Sequence, residues 1–113
     1  MKPIDKHSAA HYTWAEVCQS WVLADEEGLV VKQEEMPAGS REQLHVHHHA
    51  RQFFYILSGV AHFYVEDKVW VVKEQQGLLI LPGEKHFIAN ETKLALSFLV
   101  ISSPGTSMDR VNL

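Results

Sequence analysis

A single cysteine, Cys18, in 113 residues rules out an intrachain disulfide and makes a reducing cytoplasm the expected setting. No apolar run approaches membrane-spanning length, and the opening segment MKPIDKHSAAHYTW lacks the apolar centre of a signal peptide. Excess positive charge is missing as well. Ten Lys and Arg against fourteen Asp and Glu give a formal net charge of −4, and the basic residues are scattered. Neither nucleic acid nor a membrane is therefore an expected partner. There is no phosphate-binding glycine loop and no Ser/His/Asp or Cys/His grouping, since Cys18 has no evident base. Beyond residue 28 no stretch holds a helical period, and no repeat or low-complexity linker divides the chain.

What is present is ordinary globular material, 46% hydrophobic and 21% charged, enough for one domain with one core. The outlying count is eight histidines. Several of them fall in one internal stretch, Gly39–Gly59 (GSREQLHVHHHARQFFYILSG), where an expression tag is a poor explanation.

Short apolar runs separated by Gly, Pro and charged turns indicate an all-β sandwich or barrel. The expected strands are Leu29–Met36, Arg41–His47, Phe53–Leu57, Val60–Val65, Val69–Val72, Leu78–Leu81, His86–Ala89 and Leu94–Ser102. Residues 1–28 read as an N-terminal arm with a short strand, in which Trp14, Val17, Cys18 and Trp21 fit helical-turn spacing while Trp21–Ala24 also reads as a short strand. Residues 29–102 read as the barrel and 103–113 as a C-terminal tail.

On a strand, residues two apart share a face, so His45 and His47 project together with Cα atoms about 7 Å apart. Two imidazoles at that spacing can bind one metal ion. Gln52 opens the next apolar run and returns beside them if the chain turns at Ala50–Arg51. Arg41 shares their strand parity and can reach an anionic ligand; alternatively it is a solvated strand-end arginine. His48 has the opposite parity, His49 nears the turn, and His62 is expected on the outer face or at a dimer contact.

These residues resemble a known family. Gly39, five residues, His45-x-His47, four residues, Gln52, six residues and Gly59 follow the first motif of the cupins, with Gln52 where that motif has Glu. Leu81-Pro82-Gly83-Glu84-Lys85-His86, three residues and Asn90 follow the second motif less fully. The resemblance spans roughly residues 29–102 and is greatest to small single-domain bacterial cupins that resemble mannose-6-phosphate isomerase.

It implies a jelly-roll β-barrel of six to eight strands. It further implies a divalent metal ion (Fe, Mn, Ni or Zn) on His45, His47 and His86, with Gln52 fourth. Gln52 could instead hydrogen-bond a ligand histidine or a bound water, and the histidines could bond one another or water in a cavity without metal. Because Gln52 is neutral, a bound ion would keep its full positive charge and favour an anionic ligand. Met36, Phe54, Ile56, Phe63 and Phe98 are candidate pocket lining, with Phe54 and Phe98 joining Arg41 as candidate substrate contacts. A homodimer is expected from the family's habit of pairing barrels.

Two functions follow as expectations. One is a small metalloenzyme of dioxygenase, lyase or isomerase type acting on a small anionic or enolisable metabolite. The other is a non-enzymatic binding module for a small sugar or metabolite, favoured if the pocket holds no acid or base beyond the ligand histidines. The run SSPGTSMDR near the C-terminus suggests no role by itself.

Overall fold

The computed structural model describes all 113 residues and contains only strands, turns and loops. Eleven strands follow in chain order: β1 (Ala10–Trp14), β2 (Cys18–Glu26), β3 (Leu29–Met36), β4 (His45–His47), β5 (Arg51–Ser58), β6 (Ala61–Val65), β7 (Lys68–Val72), β8 (Gly77–Ile80), β9 (His86–Ala89), β10 (Leu96–Ser103) and β11 (Arg110–Asn112). They build two antiparallel sheets, a six-stranded one in the order β1-β2-β3-β10-β5-β8 and a five-stranded one in the order β11-β4-β9-β6-β7. This is the double-sheet jelly roll that the cupin resemblance implies, with eleven strands where six to eight were expected.

Side-chain alternation explains the packing. Along β5, β6 and β10 every second residue is buried, as a pleated strand with one face on the core requires. The inward set includes Met36, Phe54, Ile56, Phe63 and Phe98, all buried and all within one apolar cluster. Phe54 meets Phe63 edge-on with ring centroids 4.9 Å apart, and Phe98 lies 5.9 Å from Phe54, so three aromatic rings bridge the sheets.

Residues 10–26 form two strands that extend the six-stranded sheet. The Trp14–Trp21 segment resolves as strand, tight turn, strand, with Ala15 and Glu16 at positive φ in the turn. Fully buried Cys18 and Ser20 anchor β2 to the core side. The segment 103–113 likewise carries β11, which pairs with β4 in the register Arg110↔His47.

The expected strand Arg41–His47 is regular only from His45. Before it, the Glu42 side chain takes over part of the ladder: Ile88 N donates to Glu42 Oε1 at 3.0 Å, while Glu42 N donates to Ile88 O. A side chain substituting for backbone breaks the two-residue alternation there.

Asn90 staples the end of β9. Its Nδ2 donates to Met36 O and Leu94 O, and its Oδ1 accepts from Thr92 N.

Gly59 turns the chain between β5 and β6 at φ +87°, and a Cβ there would lie 2.6 Å from the Ala95 carbonyl oxygen; Gly39, at φ +78°, has open space around it. Gly39→Ala is therefore expected to cost about 1 kcal/mol, the left-handed backbone alone. Gly59→Ala adds a backbone clash and is expected to cost roughly 2–3 kcal/mol. Urea denaturation of the two variants checks the order, and equal losses would refute the crowding argument.

Candidate metal centre

Two neighbouring strands of the five-stranded sheet bring the histidines together. His45 and His86 are direct partners across the β4–β9 ladder, and His47 lies two residues along the same face. The ring centroids are 4.9 Å (His45–His47), 4.3 Å (His45–His86) and 5.7 Å (His47–His86) apart. One ligand nitrogen from each falls within 4.8 Å of the others.

All three are buried, at 2%, 3% and 1% exposure. Burial, the first cause in each case, disfavours the charged ring. It lowers His45 to about 3 and His47 to about 4, and it lowers His86 also.

Hydrogen bonds then select the tautomer. His45 Nδ1 donates to Gln43 O and His86 Nδ1 donates to Glu84 O, both at 2.8 Å. A carbonyl only accepts, so the proton sits on Nδ1 and the Nε2 lone pair is free. The Nε2 of His86 is buried with no hydrogen-bond partner. His47 Nδ1 faces the Asp109 carboxylate at 3.9 Å.

Gln52 comes from the opposite sheet. Its Nε2 donates to Ser102 Oγ at 3.2 Å, while its Oε1 is buried without a partner. Three neutral imidazoles and one amide oxygen suit a divalent cation, and without one His86 Nε2 and Gln52 Oε1 stay buried and unsatisfied, so the donor set fits a metal.

Asp109 gives the SSPGTSMDR run a structural task. Its carboxylate accepts from the amides of His48 (3.0 Å), His49 (3.2 Å) and Ala50 (2.9 Å), pinning the turn that leaves His47. Burial alone would raise its carboxyl, but the three amide donors together hold it below the usual carboxylate range.

The cavity beside the histidines measures about 160 Å³. Beyond His45, His47, Gln52 and Phe54, its polar wall includes Tyr12, Trp14, Lys32, Glu34, Glu42 and Arg110. Arg41 is not among the lining residues: its strand parity is lost with the irregular backbone at 42–44, and its guanidinium carbon instead lies 4.6 Å from the centroid of the Phe87 ring. Phe98 packs in the core rather than on the cavity wall. His48 and His49 are exposed, and His62 Nε2 lies 3.8 Å from Glu91 Oε1, away from the cavity.

The acidic lining was not singled out from the sequence. For Glu34 a signal existed, because Lys32 and Glu34 share the parity of Met36 on β3. Burial, the largest influence, pushes Glu34 up, and it pushes Glu42 to about 8 against the opposing pull of Arg110. These values belong to the metal-free protein, since a nearby cation favours the ionised forms.

A pH dependence follows. An unfolded histidine takes up a proton near pH 6.5, whereas His45 and His47 stay neutral down to about 3 and 4. Stability of the metal-free protein therefore falls as pH drops below 6.5, by up to about 1.4 kcal/mol per unit for each ring. The two carboxyls act oppositely: folded Glu42 keeps its proton to about pH 8, so stability falls as pH rises above the ordinary value of 4.5. His45 and His47 outweigh Glu42 below pH 6.5, and above it Glu42 acts alone. Chelator-treated protein is expected to be most stable near pH 6.5, with Glu42→Gln flattening the alkaline fall. Denaturant titrations from pH 5 to 8.5 check this, and an unaltered alkaline limb in the variant would contradict it.

Comparison with known proteins agrees with this geometry. Residues 32–102 match the family model described as "Cupin domain". The alginate biosynthesis protein AlgA of Pseudomonas aeruginosa is 30% identical over 73 residues, which are 65% of this chain and 15% of that protein. The matched stretches are 14% and 15% of the curated relatives' lengths, so the chain spans a small part of each. Among solved structures, the polyketide cyclase RemF of Streptomyces resistomycificus superposes with a TM-score of 0.86 at 19% identity, covering 100% of this chain and 85% of that one. KdgF from a Halomonas species gives 0.81 at 13% identity, covering 89% and 93%. At such identities these likenesses carry the fold alone.

Proposed function

Because this chain belongs to the cupin family, we propose that its cavity is a metal-dependent active site for a small anionic or enolisable metabolite, of the dioxygenase, lyase or isomerase type. The observation that supports it most is the meeting of three buried, neutral imidazoles with an unpartnered amide oxygen from the facing sheet. His45, His47 and His86 would hold the ion, Fe, Mn, Ni or Zn, with Gln52 in the fourth position. Bound there, a divalent ion supplies Lewis acidity or adjacent open positions for substrate and dioxygen.

The remaining residues act on the ligand. Lys32 and Arg110 line the cavity and supply the cationic attraction for which Arg41 was the sequence candidate. Phe54, Ile88 and Val100 line it with apolar surface, which excludes water from the ligand and strengthens those attractions. Glu34 and Glu42 are carboxyls on the cavity wall, and burial raises both above the ordinary carboxylate range in the metal-free protein, so each is a candidate to give or take a proton.

That last feature separates the two functional classes. A passive binding module needs no acid or base besides the histidines, and this cavity has two carboxyls, a tyrosine and a lysine on its walls. The enzymatic reading is preferred on that ground.

Elemental analysis of protein purified without added metal or an immobilised-metal column tests the proposal. One equivalent of a transition metal is expected. His86→Ala should weaken metal binding by at least about 100-fold, since loss of even an orienting partner costs 10–100-fold. Gln52→Glu should slow metal loss to chelator by adding a charged ligand. No metal above trace in the wild type, or faster loss from Gln52→Glu, would count against the centre.

A further inference from the structure

Resting on the metal-centre reading, we propose that Lys32, Tyr12 and Trp14 form a carboxylate-binding subsite in the same cavity. The ligand is then a short-chain acid held at both ends, by one carboxylate on this wall and by a second oxygen-bearing group at the histidines.

Tyr12 and Trp14 alternate along β1 and both line the cavity, as does Lys32 of β3. Lys32 Nζ donates to Tyr12 Oη at 2.7 Å. That uses one of its three protons and leaves the phenol's own proton free to donate. Lys32 has no carboxylate within ion-pair distance. The Trp14 indole Nε1–H is buried with no acceptor, a state that costs free energy unless an acceptor arrives.

Ammonium, phenol and indole thus present donors, and an ionised carboxylate, which only accepts, complements them. A neutral sugar brings no charge to pair with the Lys32 ammonium. Glu34 is the acidic neighbour on the same face of β3; burial raises its carboxyl, against the opposing pull of Ser20, Lys32 and Arg110.

Tyr12 and Trp14 precede the family match at residues 32–102, and Thr106 and Arg110, which also line the cavity, follow it. The matched segment therefore carries the histidines, while the flanks carry much of the selectivity.

Calorimetry on the full chain tests the subsite. Protein loaded with Mn(II), its stoichiometry measured first, is titrated with malonate, succinate, neutral succinamide and inorganic phosphate; the series is repeated on metal-free protein. The dicarboxylates are expected to bind better than succinamide or phosphate. Lys32→Met should weaken them about tenfold or more with and without metal, at unchanged manganese content, and Lys32→Arg should retain most of the affinity. Trp14→Phe should weaken them several-fold. If Lys32→Met fails to fold, Tyr12→Phe and Trp14→Phe carry the test.

Wild-type affinity in the folded variants overturns the subsite, as does tighter binding of phosphate or succinamide. Full metal loading with no Lys32 dependence removes this proposal and leaves the metal centre standing. Acid binding that depends on Lys32 in a protein that takes up no metal sustains the subsite and removes the metal reading.

Discussion

Two short hydrogen bonds govern the centre of this protein. His45 and His86 each give Nδ1–H to the carbonyl two residues earlier, Gln43 O and Glu84 O, at 2.8 Å. The same local device, used on adjacent strands, fixes ring orientation and tautomer together. Since the two residues are register partners across β4 and β9, their Nε2 lone pairs are set in a common region before any ligand arrives. Burial then keeps the rings neutral at physiological pH. Without the carbonyl partners the rings could turn or exchange tautomers, and proximity alone would not make a ligand set.

Such a centre opposes folding when it stands alone. It buries three neutral imidazoles, leaves His86 Nε2 and Gln52 Oε1 without partners, and raises two buried carboxyls above the ordinary carboxylate range. The surrounding structure offsets part of this with directed bonds: Glu42 takes the Ile88 amide and lies 3.6 Å from Arg110, and Asp109 collects three amides beside His47. Aromatic packing among Phe54, Phe63 and Phe98 supplies apolar burial on the core side. A cation on the lone pairs would relieve the remaining cost, so ligand binding and stability are coupled at this site.

Much of this was legible in the sequence, and the rest was hidden for identifiable reasons. His45 and His47 read as a pair because strand parity is local, whereas His86 entered only through the resemblance to the second cupin motif; the apolar runs Phe53–Leu57 and Leu94–Ser102 read directly as strands. Arg41 was read by the same parity and led elsewhere, since the Glu42 side chain replaces part of the backbone ladder and residues 42–44 leave the strand. That replacement depends on Ile88, 46 residues away, and has no local signature. Asp109 serves amides about 60 residues distant, which makes the SSPGTSMDR run opaque until the chain is folded. Lys32 and Glu34 were within reach, because Met36 was already assigned inward and they share its face.

The placement of the cavity's variable wall follows from sheet topology. β1 is bonded only to β2, and β11 only to β4, so each is an edge strand with one free side. A substitution on an edge strand disturbs one ladder, whereas one on β10 or β9 disturbs two, and the buried aromatic cluster draws on β5, β6 and β10 rather than on the edges. Residues that touch a ligand from β1 or β11 can therefore change at low cost to the core, while the histidines on β4 and β9 are held by register. Proteins described in terms as different as a polyketide cyclase and KdgF share this framework at 13–19% identity. A fold that sets these histidines on central strands and takes part of its cavity wall from β1 and β11 can hold the histidine arrangement while the edge residues change.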